Sequence, residues 1–167
     1  YAAALPGRYH NPTLTRAQVI RHGMETLRQA AGDETFLLGC GAPLGSVLGL
    51  VNAMRVGADI SGAWQPEYLG HQWFFRGEPH MPAAVNAIRN TLTRAPLHRR
   101  WWINDPDCLI LRPTKLSLAE VQTLASVIAL SGGSFLISDN LTTLPPERLK
   151  IAQALLPLIE ASPEVLD

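Results

Sequence analysis

Short apolar runs that stop on polar residues, with helix-length segments between them, constrain this chain more than any other feature. Ala53-Met54-Arg55-Val56 leads into Arg55-Val-Gly-Ala-Asp59, with Trp64 a little beyond. Trp101-Trp102-Ile103 leads into Asn104-Asp105-Pro106-Asp107-Cys108-Leu109. Thr35-Phe36-Leu37-Leu38 stops at Gly39-Cys40-Gly41-Ala42-Pro43, and the run from Ser134 to Ser138 is tipped by Asp139. Apolar runs this short, ended by Gly or Pro, read as strands buried on both faces, as in a parallel sheet.

The intervening segments carry helix signals of their own. Thr15 with Gln18 forms a capping-box pattern, and Val19, Ile20, Met24 and Leu27 follow at helical spacing until Gly32 ends the helix. Leu44 to Asn52 fits one or two helical turns, and Pro82 opens a helix to about Thr93. Ser117 and Glu120 form a second capping box for a helix to Leu130 that Gly132-Gly133 closes, and a last helix follows Pro145-Pro146 to about Leu156. Strand and helix alternate, which predicts an α/β fold with a parallel sheet and right-handed crossovers. About four βα units are present, whereas a closed (β/α)8 barrel takes eight strands and about 250 residues. Residues 1–167 therefore read as one domain, a partial TIM barrel, with polar strand tips facing a single mouth.

Composition narrows the partners. Fourteen acidic residues balance fourteen basic ones, so no net field draws the chain to nucleic acid or to anionic lipid. No apolar run reaches the roughly 18 residues of a membrane span. With 47% apolar and 17% charged residues, the chain is too hydrophobic to be disordered. Cys40 and Cys108 are too few for a disulfide framework and lack zinc-ligand spacing. The compartment stays undetermined, with a reducing cytoplasm slightly favoured, and the start at Tyr1 without Met reads as an excised piece. The loop from Gly57 to about His80 carries Trp64, Tyr68, Trp73, Phe74 and Phe75. Loops of that length in compact domains are usually functional or disordered, and this one reads as ordered.

Four motifs in register carry a resemblance. Arg55-x-x-x-Asp59 with a nearby Trp, Trp102-Ile-Asn-Asp-Pro-Asp107-Cys-Leu, Leu116-Ser117 at a helix start, and Ser131-Gly-Gly-Ser-Phe-Leu-Ile-Ser138-Asp139 resemble the α-galactosidases of glycoside hydrolase clan D, the melibiases of families 27 and 36. The resemblance runs from about Thr35 to Leu144 and implies strands five to eight of the family barrel. It implies a retaining hydrolase that cleaves terminal α-linked galactose with two aspartates, Asp59 matching the general acid/base and Arg55 the arginine that contacts sugar hydroxyls. The nucleophile, an aspartate in a Lys-x-Asp context on strand four, is expected upstream of Tyr1. Asp105 and Asp107 match a turn that shapes the site floor. A non-catalytic carbohydrate-binding or interaction half-barrel is the alternative.

Each candidate also has a plainer reading. Asp59 with Arg55 is equally the pattern of a surface ion pair. Asp105 and Asp107 flanking Pro106 suit a simple turn or a hard-cation site, though two carboxylates are few for Ca²⁺. Cys40 reads as a structural thiol lining the mouth. Trp64, after a strand tip, is the sugar-stacking candidate, because a pyranose offers an apolar C–H face to an aromatic ring. One ring of the Trp101-Trp102 pair is read as packing, Asp139 as a cap for the following helix, and His71, His80 and His98 receive no role. No cofactor or metal is expected, and the partner implied by the resemblance is an α-galactoside oligosaccharide or glycoconjugate.

The isolated chain is expected to self-associate. Its outer strands, near Phe36 and Phe135, carry neither Lys nor Pro to protect their edges, and half a barrel leaves its inner face uncovered. Sedimentation at several concentrations is expected to show a homodimer or larger oligomer without glycosidase activity; a stable monomer refutes the association.

Overall fold

The computed structural model describes residues 9–67, 69 and 77–159. Tyr68, His71, Trp73, Phe74 and Phe75, singled out above, lie outside the described residues. The chain divides into two compact units, residues 1–54 and 55–167.

The first unit opens with α1 (Arg16–Ala31), where both halves of the Thr15–Gln18 capping box form and Gly32, at φ 77°, ends the helix. Arg28 clasps the chain that follows. Its guanidinium donates to the carbonyls of Leu50 (3.0 Å), Gly32 (3.1 Å) and Thr35 (2.7 Å) and to the Asn52 side chain (2.7 Å). Asn52 Oδ1 also accepts the Leu37 N–H at 2.9 Å. That clasp sets where pairing begins. β1 (Leu38–Gly39) and β2 (Ala53–Arg55) pair in parallel, Leu38 opposite Ala53 and Gly39 opposite Met54.

Thr35 and Phe36, expected within the first strand, are instead held at the end of α1, where the Thr35 hydroxyl donates to the Ala31 carbonyl. The expectation of a buried strand is corrected at this point. Phe36 is 61% and Leu38 42% exposed, and the Leu44–Asn52 segment forms only a short 3₁₀ turn at Leu44–Val47.

In the second unit the predicted third strand lies two residues later, as β3 (Ile103–Asp105). Trp101 and Trp102 are drawn into a turn in which the N–H groups of Arg100 and Trp101 both donate to the Leu97 carbonyl. Pro106 then removes a donor, and Asp107 adopts φ 78°, a left-handed conformation that Asp tolerates better than most residues. The chain re-enters sheet as β4 (Cys108–Leu109), parallel to β5 (Leu136–Ile137). One strand of the sequence reading is thus two strands on either side of a break.

Hydrogen bonds to the last two residues of β3 hold the chain just before the break. The Asp105 carbonyl accepts the Val56 N–H at 3.0 Å, and the Asn104 carbonyl accepts the Ser134 N–H at 2.9 Å. Gly133 packs so close that a Cβ on it would collide with the Asn104 carbonyl oxygen.

Helices α2 (Ala84–Thr93), α3 (Leu118–Leu130) and α4 (Pro146–Ala154) cover this sheet. Their apolar faces close on β4 and its continuation through Ile88, Leu109, Leu111, Leu124, Ile128 and Ala152. α3 keeps both halves of its Ser117–Glu120 capping box. α2 begins after Pro82 and has no side-chain cap. Its first N–H groups, on Ala84 and Val85, donate instead to the carbonyls of Ala63 and Trp64, which satisfies orphan donors and ties the loop after β2 to the helix. The result is a mixed α/β fold with small parallel sheets, compatible with part of a barrel.

Gly133→Ala is expected to destabilise the protein by about 1–3 kcal/mol, the usual cost of forcing a methyl group into a filled space. Urea unfolding measures it. An unchanged midpoint would mean that the Asn104–Ser134 contact yields freely.

Candidate functional site

The tip of β2 is built around one guanidinium. Arg55 donates through Nε to Asp105 Oδ2 at 2.9 Å and through Nη1 to Asp107 Oδ2 at 2.7 Å. The same Nη1 stands 3.6 Å from Asp59 Oδ1. The three carboxylates differ sharply in environment: the Asp105 side chain is fully buried, that of Asp107 is 9% exposed, and that of Asp59 is 76% exposed.

Burial obliges the inner pair to find donors, because an unpaired carboxylate away from water costs several kcal/mol. Asp105 Oδ1 accepts the Asp107 N–H (2.9 Å) and the Ser134 hydroxyl (3.2 Å). Asp107 accepts the Cys108 N–H through Oδ1 (2.6 Å) and the Ile60 N–H through Oδ2 (2.7 Å). With Arg55 included, each inner carboxylate has three donors. Their oxygens are therefore committed to the protein itself, while Asp59 projects into solvent.

The cation alternative for Asp105 and Asp107 gains no further ligands. Among the described residues, no group of three or more His, Cys, Asp or Glu side chains is placed to hold a metal ion.

The remaining candidates fall in different places. Trp64 is half-buried and packs against the core beneath α2 and α3, with its carbonyl on the Val85 N–H. Cys40 is an exposed free thiol in the first unit. Cys108 lies beside Ser138, Sγ to Oγ 3.4 Å, and burial, ahead of the neighbouring Asp107 charge, pushes its thiol pKa up. Trp102 is the packing member of its pair, 4% exposed against 45% for Trp101.

Asp139 is not a helix cap, which corrects the expectation. Its carboxylate accepts the Leu111 N–H (2.5 Å) and the Arg112 guanidinium (2.7 Å). Asn140 caps the following turn in its place, accepting the Thr142 N–H at 3.1 Å. Asp139 is recruited because the Leu111 amide, just past β4, needs an acceptor.

One arginine and three carboxylates thus gather at the end of β2, among the residues that carry the motif resemblance. Comparison with solved structures makes this particular. The chain is 33% identical to the α-galactosidase TtGalA of Thermus thermophilus in complex with p-nitrophenyl α-D-galactopyranoside, with a TM-score of 0.70, over 84% of this chain and 28% of that one. The same enzyme in complex with stachyose matches at 33% identity and a TM-score of 0.70, over 83% of this chain and 30% of that one. Over that span the chain has an α-galactosidase-like fold. It spans less than a third of the length of the enzyme it matches. No protein-family profile matches the chain.

Asn104, next to Asp105 in the chain, centres a buried polar network that the sequence reading missed. Asn104 Oδ1 accepts from Trp102 Nε1 (3.1 Å), its Nδ2 donates to the Arg94 carbonyl (2.9 Å), and its N–H donates to His98 Nδ1 (3.1 Å). Arg94 in turn donates to the Val56 carbonyl and to Asn90 Oδ1. Asn104 was visible as the first residue of the polar strand tip, but His98 had no partner at recognisable spacing.

With Nδ1 accepting, the neutral His98 ring carries its hydrogen on Nε2, which is buried without a hydrogen-bond partner among the described residues. Burial first, then the charge of Arg99, lowers the His98 pKa below its usual 6.5. Protonation would also set a new N–H against that of Asn104.

The unfolded chain therefore takes up a proton below about pH 6.5 that the native state resists, so this contribution is complete above that pH and lost as pH falls. The urea midpoint is expected to drop between pH 7.5 and 5.5. His98→Asn, which keeps an acceptor near the Nδ1 position, is expected to show a smaller drop; equal drops would remove His98 as the cause.

Proposed function

We propose that this chain is part of a retaining α-galactosidase, with Asp59 as the general acid/base and Arg55 as a contact for sugar hydroxyls. The observation that carries the reading is the exposed Asp59 carboxylate beside an arginine whose guanidinium is fixed by two buried aspartates. The α-galactosidase-like fold supports it, and the matched enzyme was solved with two α-galactosides, p-nitrophenyl α-D-galactopyranoside and stachyose.

The chemistry asks for a carboxylic acid that can reach the glycosidic oxygen, give it a proton, and then take one from water in the second step. Asp59 has the exposure for that. A second carboxylate, about 5 to 5.5 Å away, must attack the anomeric carbon. Asp105 and Asp107 are poor nucleophiles here, because their oxygens already accept buried donors. The nucleophile is accordingly assigned to a part of the protein outside these 167 residues. Trp64 is proposed to offer a ring to the sugar. Acid/base and nucleophile together need no cofactor.

In the full-length protein, Asp59→Asn is expected to abolish turnover of stachyose, whose leaving sugar needs a proton, while partly sparing p-nitrophenyl α-galactoside, whose leaving group does not. Equal loss on both would remove Asp59 from the acid/base role. Galactose binding without turnover of either substrate in the unsubstituted protein would replace the enzyme reading with a carbohydrate-binding module.

A further inference from the structure

We infer that Asp107 is a positioning residue for Asp59, acting through both ends of the short loop that presents it. The inference rests on the acid/base reading above and assigns its precision to a residue that need not touch substrate.

The loop leaves the sheet at Arg55 and passes Asp59 before reaching Ile60. A single oxygen, Asp107 Oδ2, accepts the Arg55 guanidinium at 2.7 Å on one side of Asp59 and the Ile60 N–H at 2.7 Å on the other. Asp59 itself is bound weakly, 3.6 Å from Arg55 and 76% exposed at its side chain. Its location is therefore set by the chain on either side of it, and that chain converges on one buried atom. Asp107 is in turn held rigidly: its other oxygen accepts the Cys108 N–H, and its own N–H donates to the buried Asp105.

The backbone adds an independent sign. Asp107 keeps φ 78°, a region costly for most side chains and retained where the surroundings over-determine it. Pro106 precedes it in the chain and the break between β3 and β4 surrounds it, so the carboxylate is aimed by strand geometry. Misplacing a reacting group by about 1 Å costs on the order of 10²-fold in rate, and the mooring is expected to guard against a displacement of that size.

Two substitutions in the full-length protein test this. Asp107→Asn keeps the size and suits positive φ, but loses the charge that holds Arg55. Asp107→Gly removes the carboxylate where the backbone conformation favours glycine, so strain is not introduced. The expected result is a fall in kcat of about 10²-fold on stachyose with KM changed less than about threefold, and a clearly smaller fall on p-nitrophenyl α-galactoside. In the same variants, hydrogen exchange of the Ile60 amide is expected to accelerate.

A rise in KM with kcat unchanged would overturn the inference by making Asp107 a sugar contact. Equal losses on both substrates, or an unchanged Ile60 amide, would overturn it as well. If the unsubstituted protein turns over neither substrate, the catalytic half falls with the function it rests on, while exchange at Ile60 still decides the mooring. If Asp59→Asn spares stachyose, the acid/base reading fails and takes the catalytic half with it, while exchange at Ile60 again decides the mooring.

Discussion

Two carboxylates buried against one guanidinium set the terms for the rest of this tip. Asp105 and Asp107 carry more negative charge than Arg55 can cancel, with one side chain fully and the other almost fully shielded from water. Backbone and hydroxyl donors make up the difference, drawn from Ile60, Asp107, Cys108 and Ser134. Those donors come from the loop after β2, from the break itself and from the segment entering β5. Satisfying two anions has thus fixed three stretches of chain against one another. Removing either anion's partners would leave a charge without solvent, a cost of several kcal/mol that few local adjustments can offset.

The break at Pro106 follows from the same accounting. A regular strand would point Asp105 and Asp107 to the same face with their amides spent on the ladder. With no amide at Pro106 and φ 78° at Asp107, the Asp107 and Cys108 N–H groups turn inward to the carboxylates. Pairing changes across the interruption, from Val56 and Ser134 before it to β5 after it. The sheet gives up regularity at the point where side chains must converge.

Much of this was legible in the sequence. Both capping boxes named their helices, because Thr15–Gln18 and Ser117–Glu120 are local and self-contained. The pairing of Arg55 with Asp59 was equally local. What escaped was long-range: Asp105 and Asp107 were read as a floor, and their capture of Arg55, about fifty residues earlier in the chain, has no signature in spacing. Asp139 was misread because a carboxylate before a turn is an ordinary cap, and only the unmet Leu111 amide draws it elsewhere. Strand limits slipped for a similar reason. Thr35 and Phe36 have strand-like composition, yet the arginine clasp from α1 holds Thr35 outside the sheet.

The exposure of Asp59 has a meaning apart from chemistry. It is the one acidic side chain of the cluster on which no buried donor depends, and an exposed ion pair at 3.6 Å adds little to stability. Burial and solvent access therefore fall on different carboxylates around one guanidinium. A lineage built on this tip is free to explore new residues at position 59 without first repairing its scaffold. The same freedom does not extend to position 105, whose fully buried carboxylate holds donors that a substitution would leave unpaired.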